Sequence, residues 1–194
     1  MPNWAYTSYA VEGPKETLQK IEQAILHHPV REGSSEDWEG NVLDALDIKW
    51  IGRDQDRENG HYMRGFIHEK PWWIDDNVLR FCADEAWNVT DFDEALLSAF
   101  PDIKVYWATE EEGMGIYATN DKEEKYFSDR FYVDTCINGN YQSEYFNTKE
   151  TAYAWISKLT EGKVKTEEEV EAFNEDVDRD PDDFIYVHEY RIIN

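Results

Sequence analysis

The chain reads as an α+β protein, an antiparallel or mixed sheet with helices packed on one face. Three observations predict it. Runs of alternating aromatic and β-branched residues are interleaved with runs whose apolar residues recur every three or four positions. Capping residues and prolines bracket the second kind. Asn138-Gly139 separates two strand-like runs, the strongest short-range hairpin signal.

Residues 4–11 alternate aromatic, β-branched and small side chains, which predicts a strand. Gly13-Pro14 punctuates it, and Pro14 suits the first turn of a helix, where a missing N–H costs nothing. Leu18, Ile21, Ile25 and Leu26 give that helix one apolar face. His27-His28-Pro29 ends it, because the residue before proline is pushed out of helical geometry. Residues 31–37 read as a loop, 39–45 as a short helix, 48–51 as a short strand and 52–60 as a polar surface loop. A strand resumes over 62–68.

Residues 78–83 are a strand, and Thr90 is placed to cap a helix running through Phe92, Ala95, Leu96 and Ala99, which Pro101 stops. Residues 103–108 are a strand, 110–113 a turn and 114–119 a returning strand. The hairpin pairs 130–137 with 141–146. Asn147 or Thr148 caps a helix with Ala152, Trp155, Ile156 and Leu159 inward, and Gly162 lies near its C-terminal end. Thr166 and Glu169 form a capping box for a helix with Val170, Phe173 and Val177 on one face. Residues 184–193 read as a closing strand. From residue 77 onward the order is that of a ferredoxin-like sandwich with an added hairpin and helix. The expected organisation is therefore a βα region over 1–76, packed on the same body, and a ferredoxin-like region over 77–194 with an acidic helix and loop, or one single domain formed of both.

Charge is the dominant bulk property. The 194 residues carry 43 acids against 19 Lys and Arg, a net charge of −24. A compact chain of this length is roughly 40 Å across, and B-DNA carries about 24 phosphates over that length. The chain thus matches a duplex of its own size in total charge. Nucleic acid and anionic membrane are excluded as direct partners by repulsion. Eight Trp and twelve Tyr speak for a packed core and against disorder. No run approaches the ~18 apolar residues of a membrane span. The opening residues lack the basic and apolar regions of a signal peptide, and Cys82 and Cys136 form no disulfide framework, so the cytoplasm is the expected location.

The opening Met1-Pro2-Asn3-Trp4 with Gly13-Pro14, and the stretch 79–118, resemble the Api92-like (YubB) family. The points of resemblance in that stretch are Trp87 after a strand, Phe100-Pro101 closing a helix, Glu111-Glu112-Gly113, and Tyr117. The resemblance implies a ferredoxin-like domain found in proteins of plasmids, phages and other mobile elements, and it brings no catalytic residues. Ala5 stands where relatives commonly have Cys, so any role of that thiol is absent here. The acidic tail beyond Gly162 lies outside the resemblance.

No chemistry-bearing motif stands out. The five histidines lack metal-ligand spacing, no GxSxG, GxGxxG or Walker sequence occurs, and no cofactor is implied. Asp178, Asp180, Asp182, Ile185 and Glu189 occupy positions 1, 3, 5, 8 and 12 of a calcium loop. Asp183 stands where that loop needs glycine, however, and Pro181 stiffens it, so a solvated acidic loop is the expectation. Trp72-Trp73 cannot both enter one core, because adjacent strand residues point to opposite faces, so one is either partly covered by a loop, the favoured reading, or exposed as an interface anchor. The acids cluster at Glu110-Glu111-Glu112 and over 161–183, where eleven acids face three bases and include Glu167, Glu168, Asp178, Asp180, Asp182 and Asp183. Two readings follow. One is a non-enzymatic protein whose acidic clusters and exposed tryptophan bind a basic, nucleic-acid-handling or host-defence protein, as a nucleic-acid mimic would. The other is a small-molecule or calcium-responsive module whose acidity serves solubility.

Overall fold

Strand β1, Trp4–Glu12, organises the N-terminal part of the computed structural model, which describes residues 3–51, 61–68, 70–176, 178 and 180–193. The expected loop over 52–60, the Met1-Pro2 opening and Val177 lie outside the described residues. Along β1, Ala5, Thr7, Tyr9 and Val11 are buried on one face, while Trp4 and Tyr6 on the other are exposed. Helices α1 (Lys15–His27) and α2 (Glu39–Ala45) follow, then the short strands β2 (Trp50–Ile51), β3 (His61–Tyr62), β4 (Gly65–Ile67) and β5 (Trp72–Asp75). Next come β6 (Val78–Ala86), α3 (Phe92–Ala99), β7 (Lys104–Glu111), a 3₁₀ turn at Glu112–Met114, and β8 (Ile116–Thr119).

The protein is α+β, and its sheets are mostly antiparallel with helices on one face. β1 lies between β6 and β7 and is antiparallel to both. The order of the larger sheet is β12-β8-β7-β1-β6-β4, where β12 is Arg191–Ile192, and β5 also pairs with β6. Tyr9, Val11, Leu79, Phe81, Val105 and Trp107 meet Leu18, Ile21 and Ile25 of α1 and Phe92, Ala95 and Leu96 of α3 in one core. Tyr9 stacks on Phe81 at 4.9 Å, and Phe92 stands edge-on to Phe81 at 5.8 Å.

The chain divides into two units, Met1–Lys122 with Ile192–Asn194, and Glu123–Arg191. The division falls at 122/123 rather than at the expected 76/77, because β6 and β7 flank β1 and tie the two expected regions into one sheet. Residues from 77 onward are accordingly shared between two sheets rather than gathered in one.

The second unit is a three-stranded sheet with two helices. β9 (Phe131–Ile137) and β10 (Asn140–Phe146) form the expected hairpin, with Asn138 and Gly139 both at positive φ, 52° and 73°. Thr148 Oγ1 accepts from Thr151 N at the start of α4 (Lys149–Leu159), and Thr166 Oγ1 accepts from Glu169 N at the start of α5 (Glu167–Glu175). The Glu169 carboxylate accepts not from Thr166 N but from Lys165 N, one residue earlier, at 2.6 Å. β11 (Phe184–Glu189) completes the order β10-β9-β11. Phe131, Val133 and Ile185 pack against Ala152, Ile156, Val170 and Phe173 in a second core.

Three local expectations change. Residues 62–68 split into β3 and β4, with buried Met63 between them. The closing run splits at Tyr190, whose N–H bonds Arg130 O, so that β11 and β12 belong to different sheets. Thr90 does not cap α3: Asp91 precedes that helix, and the Thr90 hydroxyl turns instead to two buried glutamates.

Candidate interaction surface

Because side chains alternate along a strand, the sheet of the second unit has one face under α4 and α5 and one face without a helix. The register builds that open face in three rungs. Tyr145, Tyr132 and His188 form the first, Ser143, Asp134 and Tyr186 the second, and Tyr141, Cys136 and Phe184 the third. Tyr132 is buried, with the Tyr145 ring at 4.8 Å and the His188 ring at 6.0 Å. Phe184 stacks on Tyr186 at 4.9 Å. Tyr141, Tyr186 and Tyr145 are exposed, at 63%, 51% and 42%. His188 Nε2 lies 3.1 Å from Asp134 Oδ1; a carboxylate only accepts, so this nitrogen carries the proton. None of the nine residues is Lys or Arg.

Carboxylates border this face. Gly139 N donates to Asp183 Oδ1 at 3.4 Å, which sets the acidic loop before β11 against the hairpin end of the sheet. Asp182 N donates to Asp180 Oδ1, and Asp178 N to Asp176 Oδ1, so the loop folds on its own aspartates. Phe184–Glu189 is a strand, so Ile185 and Glu189 are not followed by the exit helix of a calcium loop. Asp178, Asp180 and Asp182 are exposed and Asp183 half-buried. Glu167 and Glu168 lie in the first turn of α5, on the helical side of the sheet. Glu167 pairs with Lys149 at 2.7 Å. Hydrogen bonds from the Glu168 backbone amide and the Thr166 hydroxyl lower the pKa of Glu168.

The remaining predicted residues scatter. Glu111 is buried, and its carboxylate accepts from Gly113 N at 3.0 Å and Met114 N at 2.6 Å, so it holds the 3₁₀ turn and presents nothing to a partner. Glu110 is half-buried and Glu112 exposed. Trp72 is exposed at 39%, whereas Trp73 packs on the core and donates its indole N–H to Glu22 Oε1 at 2.6 Å. The larger sheet also has a face away from its helices, with Trp4, Tyr6 and Trp72 exposed and His68 3.1 Å from Asp84. Arg80 and Lys104 share that face through their register with Ala10 and Glu12, so it supplies cations of its own.

A second constellation lies inside the first unit. Glu85 follows Leu79, Phe81 and Ala83 on the inward face of β6, and Glu39 begins α2; both are fully buried. Glu85 Oε1 accepts from Tyr9 Oη at 2.7 Å, Thr90 Oγ1 at 2.8 Å and Thr90 N at 3.0 Å. Thr90 Oγ1 is also 3.1 Å from Glu39 Oε2, but a hydroxyl has one proton to give. Glu39 Oε1 and Glu85 Oε2 are buried, and among the described residues neither has a donor in hydrogen-bond geometry. Burial and then the neighbouring Glu85 charge push the Glu39 pKa well up. Burial raises Glu85 too, against the donors that favour its charge. Both adjacent carboxyls in this dry site are thus shifted toward the protonated form, Glu39 the more strongly. A Cβ at Gly65 would overlap the Glu39 carboxyl, so glycine is required there.

The open-face aromatics were legible as strand residues but not as a surface. The signal was there: residues 132, 141, 145, 184, 186 and 188 are aromatic or His on the opposite phase from the apolar 131, 133, 185 and 187. Glu85 was likewise in phase with three core residues, whereas nothing local marked Glu39. No known family model, curated protein or solved structure matches this chain.

Proposed function

We propose that this chain is a non-enzymatic acidic interaction protein that binds a basic protein, one of the kind that handles nucleic acid. One observation carries the reading. With 43 acids against 19 Lys and Arg, at least 24 carboxylates have no cation of their own to pair with. The surplus is not a tail. The first unit has 25 acids and 11 bases, the second 18 and eight, for net charges of −14 and −10. A partner supplying the missing cations gains a fast, steered encounter and like-charge exclusion of wrong partners. Mimicry of a duplex is the finer form of the reading, supported by the total charge alone. The family resemblance would make that partner a host defence or nucleic-acid-handling protein of a cell carrying a mobile element.

The test is capture of partners on the immobilised chain, followed by salt elution and competition with a duplex of about 24 base pairs. The expected result is a basic nucleic-acid-binding protein released over about 50–200 mM salt and displaced by the duplex. Retention indifferent to salt, or recovery of neutral and acidic proteins only, rules the reading out.

A further inference from the structure

We infer that the open face of β9, β10 and β11 is a docking surface for an arginine-bearing segment of a basic partner, an inference that rests on the acidic-interaction reading above. Size comes first. Three strands about 4.8 Å apart and three rungs about 6.6 Å apart make a patch of about 10 by 13 Å at the backbone. A standard interface takes about 800 Å² from each partner, so this patch fits an extended segment of a few residues rather than a second globular surface.

Chemistry then selects the segment. Tyr141, Tyr186 and Tyr145 offer exposed ring faces, and a cation over such a ring is attracted by its quadrupole. Asp134 sits in the middle rung with one acceptor position used by His188, and a carboxylate has about four. Asp183, held against the hairpin at Gly139, adds negative charge at the margin. The three rungs contribute no Lys or Arg; Arg130, next along β9 in the phase of Tyr132, is largely buried and spends its guanidinium on Phe127 O, Asp129 O and Glu124, whereas the open face of the larger sheet carries Arg80 and Lys104. Negative charge among exposed rings, on rungs that carry no Lys or Arg, complements a cation that is also planar. Arginine meets both needs: its guanidinium stacks flat on tyrosine and forks onto a carboxylate, whereas lysine is a compact, strongly hydrated point charge.

The experiment titrates nona-arginine and nona-lysine peptides, equal in length and charge, into the full chain by calorimetry at about 50 mM and 200 mM salt. Nona-arginine is expected to bind several-fold tighter. Tyr141→Ala and Tyr186→Ala should each weaken it about two- to five-fold and leave nona-lysine nearly unchanged, while Tyr186→Phe, which keeps the ring, retains the preference. Both tyrosines are exposed, and circular dichroism verifies that the variants fold. Asp134→Asn, close to isosteric, is expected to reduce the arginine preference as well. Equal affinity for the two peptides, unmoved by these substitutions, overturns the docking surface and leaves the acidic reading standing. Failure of both peptides to bind at low salt overturns both.

Discussion

Glu39 and Glu85 show what a single buried proton does to this fold. Glu39 keeps its proton to higher pH folded than unfolded, so between those two values the folded state binds more protons. Its contribution is full below the unfolded value near 4.3 and is lost as pH rises toward the folded one, with a slope of at most about 1.4 kcal/mol per pH unit. Glu39→Gln keeps the shape, removes the titration and offers an N–H₂ donor to Glu85. It should flatten the decline of Tm between pH 5 and 8 and raise stability at pH 8 by about 1–2 kcal/mol. Thermal melts across that range check it; an unchanged slope means that the decline has another source. Half of this cluster was readable. Glu85 shares the parity of Leu79, Phe81 and Ala83, which turns it inward, but Glu39 reaches the site only through the path of the chain between α1 and β4. Thr90 misled for a related reason, since an N-cap competes with any nearby acceptor that is buried and short of donors.

At the scale of elements, β11 has an edge guarded by one side chain. Asn174 of α5 accepts from Ile185 N at 3.0 Å and donates to Ile185 O at 2.8 Å, taking the place of a neighbouring strand. Asn174→Ala should cost about 1–3 kcal/mol by orphaning both backbone groups. It should also speed exchange of the Ile185 amide well beyond that of the core amides, which native-state hydrogen exchange reads directly; equal acceleration throughout β11 would mean global loss instead. Strands, hairpin and caps of the second unit were legible because the signals are local: Asn138-Gly139, Thr148, Thr166 with Glu169. The first unit was harder. Its sheet order depends on β1 inserting between β6 and β7, a pairing across some seventy to one hundred residues that no window of sequence records.

For the whole molecule, two cores and one sign of charge set the expectations. Twenty-one buried residues form the first core and nine the second among the described residues, so the second unit should unfold first on heating. Ile156→Ala, a cavity in the smaller core, should destabilise that step by about 2–5 kcal/mol and leave the later step in place. Calorimetry distinguishes this from a single transition shifted as one. Self-repulsion at −24 should lift both steps to higher temperature as salt screens it. The total charge was legible in the composition. Its division between the units was not, because that division follows from where the chain leaves the larger sheet and where it comes back.

That return has a consequence of its own. Ile193 N bonds Thr119 O at 2.9 Å, so the chain re-enters the larger sheet beside the strand it left. The second unit is thus an insertion in the chain of the first. Removing residues 123–190 and joining β8 to β12 by a tight turn would leave every other strand pairing of the first unit in place. The aromatic face is thus expected to be separable from the larger sheet, which circular dichroism and thermal melting of the shortened chain would check.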